Sequence, residues 1–187
     1  MEEEVVGFED DAKNIIQQLT GGTKELDIIS IVGMPGLGKT TLARKVFNHL
    51  IDNRHFDVRA WCSISKEYSS TKVFSEILKQ VIGSTDGIRD EDIPHELRKS
   101  LMRKRYLIVL DDIWEAKAWE ELRLSFPHGE DGSRVVVTMT EWFSSDTSFP
   151  VLEKLVIDNC WRLQDIPSSF VDIPTLKSIK LRYCSCY

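Results

Sequence analysis

The chain lacks several features that would have assigned it quickly. No stretch approaches the roughly 20 consecutive apolar residues of a membrane-spanning helix. The opening Met-Glu-Glu-Glu has neither the basic start nor the apolar run of about 7–15 residues of a secretory signal. No basic block or stripe appears, so nucleic acid is not an expected partner. The four cysteines, Cys62, Cys160, Cys184 and Cys186, form no C-x-x-C pair and have no zinc-ligand spacing. A reducing, cytoplasmic location is the resulting expectation. Past Gly132 there is no glycine, and past His128 no histidine.

A chain of 187 residues with 42% apolar content has room for one packed domain, or one and a fraction. The net charge of −6 is unevenly placed. Residues 1–27 hold eight acids against Lys13 and Lys24, which accounts for the whole surplus. That segment reads as a solvated acidic leader carrying a first helix, with Ala12, Ile15, Ile16 and Leu19 on one face and Gly21-Gly22 at its end.

The richest stretch is Gly33-Met34-Pro35-Gly36-Leu37-Gly38-Lys39-Thr40-Thr41, which fits the phosphate-binding pattern G-x-x-x-x-G-K-[ST]. Ile28–Val32 before it reads as a buried strand, and Leu42, Val46 and Leu50 after it recur at helical spacing. Glycines let backbone N–H groups turn inward with no Cβ in the way. The helix starting near Lys39 aims its N-terminal dipole at an anion. Lys39 is expected to reach the β/γ-phosphates, Thr40 to ligate Mg²⁺, and Thr41 to add a phosphate contact.

Further on, Val58–Ile64 reads as a strand and Val73, Phe74, Ile77, Leu78 and Val81 as an amphipathic helix closed by Gly83. A short basic helix holds Leu97 and Leu101. The apolar run Tyr106–Leu110 then ends in Asp111-Asp112, followed by a helix around Trp119 and Leu122 and a strand at Val135–Thr138. Strands alternating with helices predict a parallel sheet covered on both faces. An apolar strand ending in aspartate is how a P-loop protein manages its metal. Asp111 is therefore the candidate metal residue, and Asp112 the candidate catalytic group that polarises an attacking water.

The pattern changes after residue 140. Leu152, Leu155, Ile157, Cys160, Leu163 and Ile166-Pro167 follow a leucine-rich-repeat spacing, and Pro150, Leu152, Leu155, Ile157 and Cys160 recur 24 residues later as Pro174, Leu176, Ile179, Leu181 and Cys184. Cys160 and Cys184 read as small inward-facing hydrophobes where each strand ends. The expected organisation is an acidic leader and first helix over 1–27, a P-loop domain over 28–140, a junction over 141–149, and one and a half repeats over 150–187. The fold class is α/β: a P-loop NTPase parallel sheet with helices on both faces, followed by a short leucine-rich-repeat remnant.

Taken together, Val6-Gly7-Phe8-Glu9, Gly33–Thr41, Phe56–Trp61, Leu107–Trp114 and Gly132-Ser133-Arg134 resemble plant disease-resistance proteins of the nucleotide-binding, leucine-rich-repeat type, in particular the late-blight resistance class of the nightshade family. The resemblance covers nearly the whole chain. It implies ADP bound in a resting state and ATP in an active one, Val6 and Gly7 facing adenine, the P-loop on the phosphates, and Asp111 managing Mg²⁺. It implies an immune switch for pathogen recognition, with other receptor chains or a pathogen effector as partners through the repeats. Trp61 and Trp114 are read as core and interface packing.

Three departures qualify the resemblance. The family's arginine after Thr-Thr, which senses the terminal phosphate, is replaced in Thr138-Met139-Thr140. The Gly-Leu-Pro and Met-His-Asp motifs that close over the nucleotide are absent. The adenine-side motif begins only a few residues after Met1, so a chain lacking the family's N-terminal coiled coil is the expectation. Weak nucleotide binding and at most weak ATP hydrolysis are the expectation. Two other readings stand beside it: a free-standing P-loop ATPase or small-molecule kinase, and a non-catalytic adaptor or decoy binding through its repeats.

Overall fold

Every residue of the strand Asp27–Val32 (β1) is buried, as a parallel strand covered on both faces must be. The structure, a computed structural model, describes residues 8–32, 36–51, 54–114, 116–139, 154–158 and 178–182. Around β1 stand β2 (Val58–Ser63), β3 (Tyr106–Ile113), β4 (Arg134–Met139), β5 (Lys154–Asp158) and β6 (Ser178–Arg182). The helices are α1 (Glu9–Thr20), α2 (Lys39–His49), α3 (Ser70–Ile82), α4 (Ile93–Leu101) and α5 (Ala116–Arg123). The strands form one parallel sheet in the order β2-β3-β4-β1-β5-β6.

Strand alternation sorts the core into two layers. Ile29 and Ile31 of β1, Leu107 and Val109 of β3, and Val136 of β4 meet α1 and α2 through Ile15, Leu19, Leu42 and Val46. Ile28 and Val32, Ile108 and Leu110, Val135 and Val137 face the other way. They meet α3, α4 and α5 through Phe74, Ile77, Leu97 and Trp119. The chain leaves β1, crosses two strands and returns as β2 at the sheet edge, while β4 sits directly beside β1. This reversal opens a crevice beyond the carboxyl ends of β1, β3 and β4, where ligands bind in such sheets.

β5 and β6 continue the sheet on the other side of β1. Ile29 pairs with Lys154 and Val32 with Ile157, so the backbone edge of β1 is not left open. Within the β5–β6 pair, Leu155 lies opposite Ile179 and Ile157 opposite Leu181, an offset of 24 residues that equals the period of the sequence recurrence.

The Gly132-Ser133-Arg134 segment works at the opposite, amino-terminal end of the strands. Arg134 is fully buried, and its guanidinium donates to the carbonyls of Gly21, Thr23, Glu25 and Ser133. Ser133 Oγ accepts from the Tyr106 N–H and donates to the Lys104 carbonyl. Gly132, in left-handed backbone at φ 73°, donates its N–H to the Lys24 carbonyl. One fork thus gathers the carbonyls of the turn between α1 and β1.

This packing makes two outcomes measurable. Arg134→Leu strands buried carbonyls and is expected to lower the unfolding free energy by about 3 kcal/mol or more, read from the urea midpoint; a midpoint equal to wild type would contradict the role given to the guanidinium. Burial, with a hydrogen bond to Glu76, pushes the Cys62 thiol from 9.0 up to about 12. Because the folded state favours the neutral thiol, the stability tied to Cys62 is complete below pH 9 and declines as pH rises from 9 towards 12. Peptide mapping after alkylation at about pH 8 should find Cys62 unmodified in the native chain and modified in urea.

Candidate phosphate-binding site

The chain enters the site from the buried end of β1. Residues 33–35 and 1–7, and with them the expectations for Gly33, Met34, Pro35, Val6 and Gly7, lie outside the described residues. Gly36 and Gly38 hold φ angles of 80° and 78°, the left-handed region that glycine occupies without steric penalty. Gly38 is the residue before α2, and no side chain caps that helix start. A helix start without a side-chain cap is the arrangement in which the first N–H groups take up an anion. A Cβ on Gly38 would also come within 2.9 Å of the Phe8 ring. Phe8 thus packs directly on the loop, and an exposed Glu9–Lys45 ion pair at 3.1 Å ties α1 to α2 beside it.

Asp111 lies behind the loop at the carboxyl end of β3, 4% exposed. Its Oδ1 accepts two hydroxyl hydrogen bonds, from Thr40 Oγ1 at 2.9 Å and from Thr138 Oγ1 at 2.6 Å. Thr138, fully buried on β4, accepts in turn from the Asp112 N–H at 2.8 Å. These contacts sit at a bulge: Leu110 pairs with Val137, but Ile113 pairs with Met139, so β3 carries one residue more than β4 over this stretch. Asp112 absorbs it at φ 65°. Regular alternation would send Asp112 to the same layer as Leu110, among the apolar residues under α3 and α5. With the bulge, Ile113 takes that place and Asp112 is released towards the crevice.

A cavity of about 380 Å³ opens there, lined by Gly36, Gly38, Lys39, Thr40, Thr41, Asp112 and Trp114. The structure therefore brings together Gly36, Gly38, Lys39, Thr40, Thr41 and Asp112. It places Asp111 one hydrogen bond behind Thr40, and Leu37 half-buried in the turn but not on the cavity wall. Trp61 packs as expected, edge-on to Phe47 with Arg44 over its ring. Trp114 differs from its reading as packing, because it forms part of the cavity wall. Thr138 escaped notice as a site residue, although a polar residue closing the apolar run Val135–Val137 was an available signal; Phe8 belongs to the Val6-Gly7-Phe8-Glu9 motif, but its packing on Gly38 was not legible from it.

Among the described residues no cluster of three or more His, Cys, Asp or Glu could hold a metal by itself. The oxygens present, the Thr40 and Thr41 hydroxyls and the Asp112 carboxylate at the cavity with the Asp111 carboxylate behind Thr40, suit an ion that takes few protein ligands and fills its shell with water and phosphate, as Mg²⁺ does.

A parallel sheet with a glycine-rich loop leading into a lysine-bearing helix, and an aspartate bonded to that helix's threonine, defines the class: a P-loop α/β nucleotide-binding domain. The model of one family, the NB-ARC domain, matches residues 8–166, and the chain belongs to that family. It is 38% identical over 192 residues to a putative late blight resistance protein homolog of Solanum demissum, covering 97% of this chain and 25% of that protein. It is 42% identical over 141 residues to late blight resistance protein R1-A of Solanum demissum, covering 74% of this chain and 11% of that protein. The chain thus spans a quarter or less of these relatives. Among solved structures, the Aeropyrum pernix ORC2 protein in its ADPNP-ADP complexes superposes with a TM-score of 0.49 at 16% identity, over 97% of this chain and 49% of that one.

Thr138→Val removes one donor from a buried carboxylate and leaves the Asp112 N–H without its acceptor. It is expected to lower stability by about 1–3 kcal/mol in denaturant unfolding, with Thr138→Ser retaining most of it. A loss in Thr138→Ser as large as that in Thr138→Val would contradict the role given to the hydroxyl.

Proposed function

We propose that this chain is the ADP/ATP-binding module of a plant intracellular immune receptor, acting in the defence response to a pathogen. The observation that carries the reading is the joining of the P-loop to Asp111 through Thr40, at the mouth of a cavity lined by Lys39 and the start of α2. Family membership supports nucleotide binding, and the names of the relatives support the immune role.

In this reading Gly36, Gly38 and the first N–H groups of α2 cradle the phosphates. Lys39 adds a point charge towards the β/γ-phosphates, and Thr41 one further contact. Mg²⁺, when bound, screens the phosphate charge. Thr40 would hold it directly, and Asp111 would hold it directly or through water, with the Thr138 hydroxyl keeping Asp111 oriented. Val6 and Gly7 would face adenine, and the Phe8 ring on Gly38 would hold that segment against the loop. No helix of the described residues is long and apolar enough to cross a membrane; the location proposed here is cytoplasmic. Other receptor chains or a pathogen effector would meet the protein through its repeats.

Hydrolysis is the second reading, favoured by one observation: Asp112 faces the same cavity as Lys39. There it could polarise a water aimed at the terminal phosphate, giving weak turnover. Phosphate release above background that disappears in Asp112→Ala would support that role.

Calorimetric titration with ADP tests the main reading. Lys39→Ala is expected to weaken binding by about tenfold or more, through loss of a charge-assisted contact. Affinity unchanged by that substitution would overturn the P-loop account.

A further inference from the structure

Among the described residues the cavity is short of positive charge. Among its described lining residues Lys39 is the only cation, and the Asp112 carboxylate sits on the same wall. A diphosphate can be met by the α2 amides and Lys39. A third phosphate brings more negative charge to a cavity that already holds Asp112, so a cation beside Lys39 and Mg²⁺ would favour ATP over ADP.

Lys66 is a cation connected to that wall through Trp114. It lies in the loop between β2 and α3, exposed, at the carboxyl side of the sheet where β1 and β3 also end at the site. Its Nζ stands 4.3 Å from the centroid of the Trp114 ring. Trp114 itself lines the cavity with Lys39 and Asp112. One ring therefore joins the cavity wall to an exposed ammonium. A cation–π contact at an exposed site is weak, whereas hydrogen bonds between an ammonium and phosphate are about twice as strong as neutral ones. Its flexible four-carbon stem gives lysine the reach to exchange one partner for the other.

We propose that Lys66 is a specificity-determining residue for the terminal phosphate, stored on the face of Trp114 and drawn to the cavity when a triphosphate binds. Trp114 is its positioning residue. The inference rests on the nucleotide-binding reading above and adds to it the discrimination of ATP from ADP.

Competition of ADP and of ATP against a fluorescent ADP analogue, in the presence of Mg²⁺, tests it on the full chain. Lys66→Met is expected to weaken ATP by about tenfold while leaving ADP within about twofold, the selective loss of one charge-assisted contact. Lys66→Arg should restore ATP binding, and Trp114→Ala should reduce it more than Trp114→Phe, which keeps a ring under the ammonium. An unchanged ratio of ATP to ADP affinity in Lys66→Met, or an equal loss of both nucleotides, overturns the proposal while the phosphate-site reading stands. Insensitivity of both nucleotides to Lys39→Ala overturns the reading beneath it as well.

Discussion

One buried carboxylate oxygen holds three elements of this molecule in place. Asp111 Oδ1 accepts from Thr40 on α2 and from Thr138 on β4, while Asp111 itself lies near the end of β3. A charged oxygen with so little solvent contact is stable only when donors surround it. The loop, the helix behind it and two strands are therefore held in one arrangement. The cavity takes its shape from the same contacts, because Thr138 also fixes the backbone of Asp112.

The bulge at Asp111-Asp112 shows how a local irregularity serves packing while turning a side chain towards the candidate site. It preserves the apolar layer by substituting Ile113 for Asp112, and it turns an acid outward that would otherwise be desolvated. A left-handed aspartate is less costly than most residues in that conformation, since its side chain bonds locally. At the other end of the strands Arg134 does comparable work with opposite charge, gathering backbone carbonyls from the turn after α1. The sheet is thus closed by a buried acid near the phosphate site and a buried base away from it.

Much of the fold was legible along the chain. β1, β2, β3 and β4 and the helices lie where apolar runs and helical spacing put them, within a residue or a few at each end. The P-loop was legible because its residues are consecutive, and because its left-handed backbone is one that glycine adopts most readily. Asp111 was legible because strand ends carry polar residues towards a site. Thr138, the contact of Phe8 with Gly38, the place of Trp114 at the cavity and the role proposed for Lys66 were not, since each depends on a neighbour far off in sequence.

The order of amino acids by itself determined the alternation of strand and helix, the phosphate loop and the family to which the chain belongs, because these depend on periodicity and on consecutive residues. Tertiary structure alone decided strand order, which strand closes the free side of β1, the β3 bulge that directs Asp112, and the hydrogen bonds that meet at Asp111. Those outcomes depend on pairing and burial between distant segments, and no spacing along the chain encodes which hydroxyl will reach which carboxylate.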